Sequence, residues 1–154
     1  MASKIGVGSV APDFTLRSQS GDEVSLASFR DQKRVVLFFY PKDETPGCTA
    51  EACSFRDEYD AFAQAGAEVI GISADSTDSH ASFAAHHRLQ MTLLSDPGGR
   101  VASLYGVTKS FFGLVAGRVT FVIDRDGVIR HTFNSQIRAT SHVREALGAL
   151  SSMA

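Results

Sequence analysis

The chain has 154 residues, of which 44% are hydrophobic and 21% are charged, and its formal net charge is −2. These values are typical of one soluble globular domain, so we expect residues 1–154 to fold as a single unit with its own core. The small net charge excludes a strongly basic surface for nucleic acid or anionic membranes. A membrane-spanning helix is also excluded, because no apolar run approaches roughly 20 residues.

Two further features concern the compartment. Residues 1–10 lack the basic-then-apolar arrangement of a secretory signal. The sequence therefore predicts a cytoplasmic protein, with an organelle such as the chloroplast as the alternative if a transit peptide has been removed.

Cys48 and Cys53 are the two cysteines, too few for a disulfide scaffold. In a reducing compartment such a pair is more often catalytic or metal-binding than structural.

The first forty residues predict strands. Residues 10–16 and 23–26 have the pattern of a short hairpin with its turn at Gly21-Asp22, and residues 27–31 predict a helical turn. Residues 33–40 are a nearly continuous run of β-branched and aromatic residues. This pattern indicates a strand that is buried on both faces.

A long helix is predicted next, and its apolar positions share helical spacing: they are Phe55, Tyr59, Phe62 and Ala63. Gly66 provides a C-terminal stop signal. Residues 67–73 then predict a second buried strand, so the centre of the chain is a βαβ unit.

The second half of the chain predicts shorter elements. They are a helix over 76–88 with Phe83 and Ala84 inward, a strand at Leu93-Leu94, a turn over 96–99, a helix over 100–105, strands over 119–124 and 128–134 around Arg125-Asp126-Gly127, and a helix over 140–150. A βαβ half followed by a ββα half is the thioredoxin arrangement. We therefore predict an α/β protein: a thioredoxin fold with an N-terminal β-hairpin, inserted elements and a mixed central sheet flanked by helices.

Cys48 follows the turn from the buried strand into the long helix. Thr45 is a typical N-cap residue, and Pro46 suits the first helical position, where its missing N–H is not needed. Cys48 would then lie in the first turn, near unpaired backbone N–H groups and the positive end of the helix dipole. These features favour a reactive thiolate over a buried inert thiol.

Cys53 is five residues further along the same predicted helix. On one α-helix the two Cα atoms would be about 8.6 Å apart and about 140° apart around the axis. A disulfide requires less than about 7 Å. Either the pair never closes, or the first turn unwinds so that oxidised Cys48 can condense with Cys53. The alternative is that Cys53 is a core residue on the apolar face of the helix.

The segment around Cys48 also resembles a known family. The pattern Pro41-x-x-x-Thr45-x-x-Cys48 is similar to the active-site motif of the peroxiredoxins. The longer form Tyr40-Pro-Lys-Asp-Glu-Thr-Pro-Gly-Cys48-Thr-x-Glu51-x-Cys53 resembles the subgroup called peroxiredoxin Q or bacterioferritin comigratory protein. This resemblance extends over nearly the whole chain, from Pro12-Asp13-Phe14 through residues 117–124 to the final helix.

The resemblance implies a role for each matching residue. Cys48 would be the peroxidatic cysteine, which attacks the peroxide and becomes a sulfenic acid, and Cys53 would resolve it in an intramolecular disulfide. Thr45 would hold the peroxide, Arg118 would stabilise the thiolate and the leaving oxygen, and Pro41 would shield the pocket from water. Three further residues would belong to the substrate pocket: Glu51, Tyr40 and Gly47.

The activity implied by this resemblance is that of a thiol-dependent peroxidase, an oxidoreductase acting on hydrogen peroxide and organic hydroperoxides. Thioredoxin or a similar dithiol protein would recycle the enzyme, which would be a monomer without metal, flavin or haem. A thiol–disulfide oxidoreductase is one alternative, although that class is typical of Cys-x-x-Cys, and four residues separate these cysteines. A redox sensor or holdase, which would bind a partner on oxidation without turnover, is another.

Some of these residues have a second interpretation. Without the resemblance, Arg118 would be a solvated charge at a strand edge, and Thr45 would only cap a helix. Phe111-Phe112 could be a partner surface, but the flanking glycines favour a mobile flap.

The histidines of the 76–88 helix also allow two interpretations. His80, His86 and His87 could suggest a metal site, but no neighbouring cysteine or carboxylate completes a ligand set in the sequence. The sequence therefore predicts a solvated helix face there.

Overall fold

The computed structural model describes residues 5–107, 118–135, 138 and 140–153. In this part the chain forms a seven-stranded mixed sheet in the order β2-β1-β5-β4-β3-β6-β7. The strands are β1 (Thr15–Ser18), β2 (Glu23–Ser25), β3 (Arg34–Phe39), β4 (Ala67–Ser73), β5 (Thr92–Ser95), β6 (Val119–Ile123) and β7 (Ile129–Asn134). The α-helices are α1 (Pro46–Asp57), α2 (Tyr59–Gln64), α3 (Thr77–His87), α4 (Arg100–Leu104) and α5 (Ser141–Ser152).

The sheet is organised around β3. This strand pairs in parallel with β4 and antiparallel with β6. β5 continues the parallel part beside β4, and the β1–β2 hairpin joins β5 antiparallel at one edge. At the other edge β6 and β7 form a hairpin whose turn contains Gly127 at φ 82°, a backbone conformation that glycine adopts without strain. The predicted βαβ and ββα halves are therefore both present.

Residues of β3 alternate between two hydrophobic layers, as successive side chains of a strand must. Val36 and Phe38 pack with Cys48 in the layer under α1, α2, α3 and α5. Val35 and Leu37 pack in the opposite layer, with residues of α4 and of the N-terminal segment. Both faces of β3 are thus buried, as its uninterrupted apolar sequence predicts.

The sequence predicts one continuous helix that ends near Gly66. This prediction is wrong in one respect, because the helix is divided into α1 and α2. Glu58, at φ −103° and ψ 12°, separates the two. Phe55 on α1 and Phe62 on α2 both lie in the core, with ring centroids 5.5 Å apart. Ala63, which shares their helical spacing in the sequence, is exposed.

Two other features concern sequence predictions. The flap predicted at Phe111 and Phe112 lies outside the described residues. Within the described ranges, every helix is too short or too polar to cross a membrane.

Gly71 on β4 lies close to side chains of both neighbouring strands, β3 and β5. It lies opposite Phe38 in the parallel register. A Cβ atom at this position would be 2.6 Å from Phe38 Cζ and 3.0 Å from Leu93 Cδ2. The Phe38 ring has little room to move aside, because its centroid is 4.5 Å from that of Phe55 and 5.5 Å from that of Tyr40.

We expect Gly71→Ala to lower the free energy of unfolding by about 1–3 kcal/mol, because overpacking outweighs the smaller entropy of the unfolded chain. Urea unfolding measures this difference. Gly148→Ala is the matched control, since a Cβ there meets no atom within 4 Å, and alanine in a helix should raise stability by about 0.5–1 kcal/mol. Equal stability of Gly71→Ala and the wild type would contradict the expectation.

Candidate active site

Cys48 lies in the first turn of α1, where the sequence predicts it. Pro46 is the first residue of the helix, and the first helical hydrogen bond runs from the Thr49 N–H to the Thr45 carbonyl at 2.8 Å. Cys48 is only 1% exposed. The reactive thiol is therefore enclosed at the helix end whose free N–H groups and dipole favour a negative charge.

Arg118 joins Cys48 to Glu51. Its Nη2 donates to Cys48 Sγ at 3.4 Å, and its Nη1 donates to Glu51 Oε1 at 2.6 Å. The side chain is buried beside the first residue of β6, so the alternative of a solvated strand-edge charge is wrong. One guanidinium thus contacts two acidic groups that are three residues apart on α1.

Gly47 makes room for this guanidinium. A Cβ atom at residue 47 would lie 3.1 Å from Arg118 Nη2, which is closer than side chains normally approach. Gly47 therefore leaves space for the cation that contacts Cys48, and its place in a substrate pocket stays a prediction.

The environment of Glu51 is almost wholly enclosed. Its side chain is 0% exposed, and Oε2 has no hydrogen-bond partner among the described residues. His142 Nδ1 is 3.5 Å from Oε2. That nitrogen is 2.7 Å from Thr120 Oγ1, and His142 Nε2 is 2.9 Å from the Ser135 carbonyl. We therefore assign the His142 proton to Nε2, with Thr120 donating to Nδ1.

Burial shifts the pKa values of Glu51, His142 and Arg118. It raises the pKa of Glu51 to about 8, against the opposing effect of Arg118. Burial and the positive charge of Arg118 lower the pKa of His142 to about 4, although its bond to the Ser135 carbonyl opposes this. Burial alone would lower the pKa of Arg118, but Glu51 and Cys48 raise it on balance. Burial therefore makes the Glu51 carboxyl hold its proton more tightly than an exposed carboxyl does, while the Arg118 guanidinium stays charged beside both Glu51 and Cys48.

Thr45 differs from the prediction in one contact. It occupies the N-cap position at φ −81° and ψ 151°, but its side chain makes no capping hydrogen bond. Its hydroxyl instead donates to the Lys42 carbonyl at 2.8 Å. Because the proton is engaged in the loop, the oxygen lone pairs stay available to accept a hydrogen bond.

The loop between β3 and α1 is fastened by Asp43. Asp43 Oδ1 accepts from the Tyr40 hydroxyl at 2.6 Å, and Oδ2 is 2.6 Å from His80 Nδ1 and accepts from Ser79 Oγ at 2.8 Å. The Asp43 N–H donates to Asp75 at 2.8 Å. Burial alone would raise the pKa of Asp43, but the bonds from His80, Tyr40 and Ser79 lower it. The carboxylate therefore attaches the loop to α3, and the backbone N–H attaches it to Asp75, which follows β4.

The prediction that His80 lies on a solvated helix face is wrong, because His80 is fully buried. Its two ring nitrogens face Asp43 and the Leu94 carbonyl, the latter at 2.9 Å. The spacing from His80 to the buried Phe83 is three residues, which could have revealed the shared helix face. His86 and His87 are exposed and partly exposed, respectively.

The other predicted site residues occupy the same region. Pro41 is half-buried in the loop, and Cys53 is half-buried on α1. Both cysteines are free thiols. Tyr40 is buried, but its hydroxyl is engaged by Asp43, so its role in a substrate pocket stays a prediction.

Asp43, His80, Thr120 and His142 were not identified from the sequence. Asp43 lies within the motif that contains Cys48, and this position in the motif could have indicated that it belongs to the site. Thr120 and His142 lie on β6 and α5 and meet only through the tertiary fold.

We expect Glu51→Gln to change the pH dependence of stability. The folded state binds the Glu51 proton more tightly than the unfolded chain, because the folded pKa is about 8 against an ordinary value of 4.5. Wild-type stability should therefore fall between about pH 5 and about pH 8 through this group, and the Gln variant should lack that loss.

Urea unfolding across this interval should show the variant gaining about 1 kcal/mol or more relative to the wild type as pH rises. Glu23→Gln, at an exposed side chain paired with Arg17, is the control and should keep a constant difference from the wild type. A Glu51→Gln difference that stays constant or shrinks with pH would refute the expectation.

Comparison with known proteins places this arrangement in a family. A model of the AhpC/TSA family matches residues 7–132. A chloroplastic peroxiredoxin Q from Sedum lineare is 49% identical over 150 residues, which cover 97% of this chain and 80% of the relative. The crystal structure of peroxidoxin BcpB from Mycobacterium tuberculosis matches with a TM-score of 0.90 and 38% identity, covering 97% of this chain and 99% of that one.

The bacterioferritin comigratory protein of Xanthomonas campestris matches with a TM-score of 0.85 and 27% identity, covering 97% of each chain. These structures confirm the predicted fold, and the relatives confirm the resemblance to peroxiredoxin Q. The family model covers most of the chain and includes both cysteines and Arg118. The chain therefore belongs to the AhpC/TSA family.

Proposed function

We propose that this chain reduces peroxides at Cys48 and is recycled through a disulfide with Cys53. Its family and its relatives make it a thiol-dependent peroxidase, and the alternative classes of thiol–disulfide oxidoreductase, redox sensor or holdase are not favoured. The observation that supports Cys48 as the nucleophile is the 3.4 Å hydrogen bond from Arg118 to its sulfur, at a buried helix N-terminus.

In the first step the Cys48 thiolate attacks one oxygen of the peroxide. An S–O bond forms as the O–O bond breaks, so that cysteine is oxidised to a sulfenic acid and the peroxide is reduced. The second oxygen leaves as an alkoxide or hydroxide and takes up a proton to give an alcohol or water. Arg118 stabilises the negative charge as it passes from sulfur to the leaving oxygen, which is an electrostatic contribution to the transition state.

Three loop and helix residues complete this proposal. The Thr45 hydroxyl gives its proton to the Lys42 carbonyl, so its oxygen can accept a hydrogen bond from the O–H of the peroxide. Pro41 shields the pocket from water. Gly47 leaves the space that Arg118 occupies.

In the second step the Cys53 thiol attacks the sulfur of the Cys48 sulfenic acid. The S–S bond forms and water leaves. Because the two residues lie on one helix and are about 8.6 Å apart at Cα while α1 is intact, the first turn must unwind. The Thr49-to-Thr45 hydrogen bond belongs to the turn that opens. An external dithiol then exchanges with the disulfide and restores both thiols.

The relatives support proposals for the substrates and for the compartment. The Xanthomonas campestris protein has alkyl peroxide reduction activity, so we propose organic hydroperoxides as substrates together with hydrogen peroxide. Thioredoxin is the proposed reductant, and a monomer is the proposed state. Relatives from Sedum lineare and Triticum aestivum are chloroplastic proteins, which supports the organellar alternative, while the cytoplasmic location stays a prediction.

The cysteine variants test the two steps separately. Cys48→Ser should abolish peroxide consumption with thioredoxin. Cys53→Ser should consume about one equivalent of peroxide in a single turnover and stop, because the sulfenic acid has no resolving thiol in the chain. Mass spectrometry with a sulfenic-acid trapping reagent should locate the adduct at residue 48. Normal recycling of Cys53→Ser would contradict the intramolecular disulfide.

The role of Arg118 is tested by the rate of the first step. Arg118→Ala should slow oxidation of Cys48 by hydrogen peroxide by about 100-fold or more, because a charged donor to the transition state is lost. Rapid-quench alkylation of the remaining thiol measures this rate. Arg130→Ala is the control: Arg130 is half-exposed and pairs with Asp124, so its loss should leave the rate unchanged. Equal rates in Arg118→Ala and the control would remove Arg118 from the mechanism.

A further inference from the structure

Three potential metal ligands meet beside the loop that leads to Cys48. Glu44 precedes Thr45 in that loop, and His86 and His87 are the last two residues of α3. His86 Nδ1 is 3.0 Å from Glu44 Oε2, and His87 Nε2 is 2.8 Å from Glu44 Oε1. A single carboxylate is therefore contacted by two imidazoles from a different element, 42 and 43 residues away in the sequence.

The two imidazoles and the carboxylate suit a transition-metal ion of intermediate softness, such as Zn²⁺. Imidazole nitrogens and carboxylate oxygens both bind Zn²⁺ at about 2.0–2.2 Å in tetrahedral sites, which places neighbouring ligand atoms roughly 3.3 Å apart. The three ligand atoms of this group all lie within 4.8 Å of one another. Small side-chain movements would therefore give the ligand separations that an ion requires.

Charge and access also suit an ion. The Glu44 side chain supplies a carboxylate that lies within reach of both imidazoles. The side chains of His86 and Glu44 are 67% and 44% exposed. Water can therefore reach an ion here and fill its remaining coordination position.

The neighbouring cluster of Asp43, Asp75 and His80 has different chemistry. Its ligand atoms are also close together, but they are engaged by Tyr40, Ser79 and Ser73 hydroxyls and by the Leu94 carbonyl. Nδ1 of His80 lies 2.6 Å from Asp43 Oδ2 and Nε2 lies 2.9 Å from the Leu94 carbonyl, so both ring nitrogens already have partners within the protein. This cluster stabilises the loop by itself.

We propose that Glu44, His86 and His87 form a binding site for a divalent transition-metal ion of the zinc class, which joins the loop before Cys48 to α3. The sequence predicts no such site because the carboxylate is remote from the histidines along the chain. Glu44 has φ 63°, a conformation that is uncommon for residues other than glycine. A bound ion would stabilise the loop in this conformation. The proposal does not depend on the peroxidase activity.

Calorimetric titration of the full-length Cys48→Ser/Cys53→Ser protein with Zn²⁺ tests the site, because removing both thiols excludes binding to thiolates. We expect one ion per chain. Adding Glu44→Gln, or His86→Ala together with His87→Ala, should weaken binding by about tenfold or more, as expected for loss of ligands. The matched control is His131→Ala, because His131 also contacts a surface glutamate, Glu145, at 2.9 Å but has no second histidine beside it.

Binding that is absent in the thiol-free protein, or that falls equally in His131→Ala, would overturn the proposal. Amide hydrogen exchange provides a second readout of position. Zn²⁺ should slow exchange across residues 42–49 of the thiol-free protein, and should leave it unchanged in the variant that also lacks His86 and His87. Binding of Zn²⁺ without slower exchange in this loop would place the ion elsewhere and refute the assignment.

Discussion

The site depends on one buried cation shared by two acidic groups. Arg118 contacts the Cys48 sulfur with one nitrogen and the Glu51 carboxyl with another. A buried guanidinium without acceptors would be strongly destabilising, and a buried carboxylate would be so too. The raised pKa of Glu51 reduces this conflict, because burial favours the neutral carboxyl, which still accepts a hydrogen bond from Arg118. The same guanidinium thus joins the buried carboxyl of α1 to the Cys48 sulfur.

The rest of the structure holds this arrangement in place from two sides. On one side β6 and α5 position Arg118 and enclose Glu51 with His142. On the other side Asp43 fastens the loop before α1 to His80 on α3 and to Asp75 after β4. The start of α1 is therefore fixed by buried polar contacts on both sides. Opening of its first turn would have to break the Thr49-to-Thr45 hydrogen bond and the contact of Arg118 with Cys48.

The sequence predicted those parts of the fold that depend on local pattern. The uninterrupted apolar residues of β3 and β4 identify buried parallel strands, and the Thr45-Pro46 pair correctly marks the start of α1. The sequence did not predict the features that depend on tertiary contacts. The helix breaks at Glu58 without a glycine or proline there to signal it, and the buried His80 contacts a partner, Asp43, that is 37 residues away. Hydrogen bonds between remote residues leave no periodic signal, so Thr120, His142 and the Glu44 cluster could not be predicted.

The presence of both cysteines on a single helix has a consequence for the redox potential of the protein. If the disulfide forms only when the first turn of α1 opens, the free energy of that turn is subtracted from the stability of the oxidised form. Each 1.4 kcal/mol lost in this way raises the two-electron potential by about 30 mV. In that case the intact helix stabilises the dithiol form relative to the disulfide, and a mild reductant can restore the enzyme after each turnover.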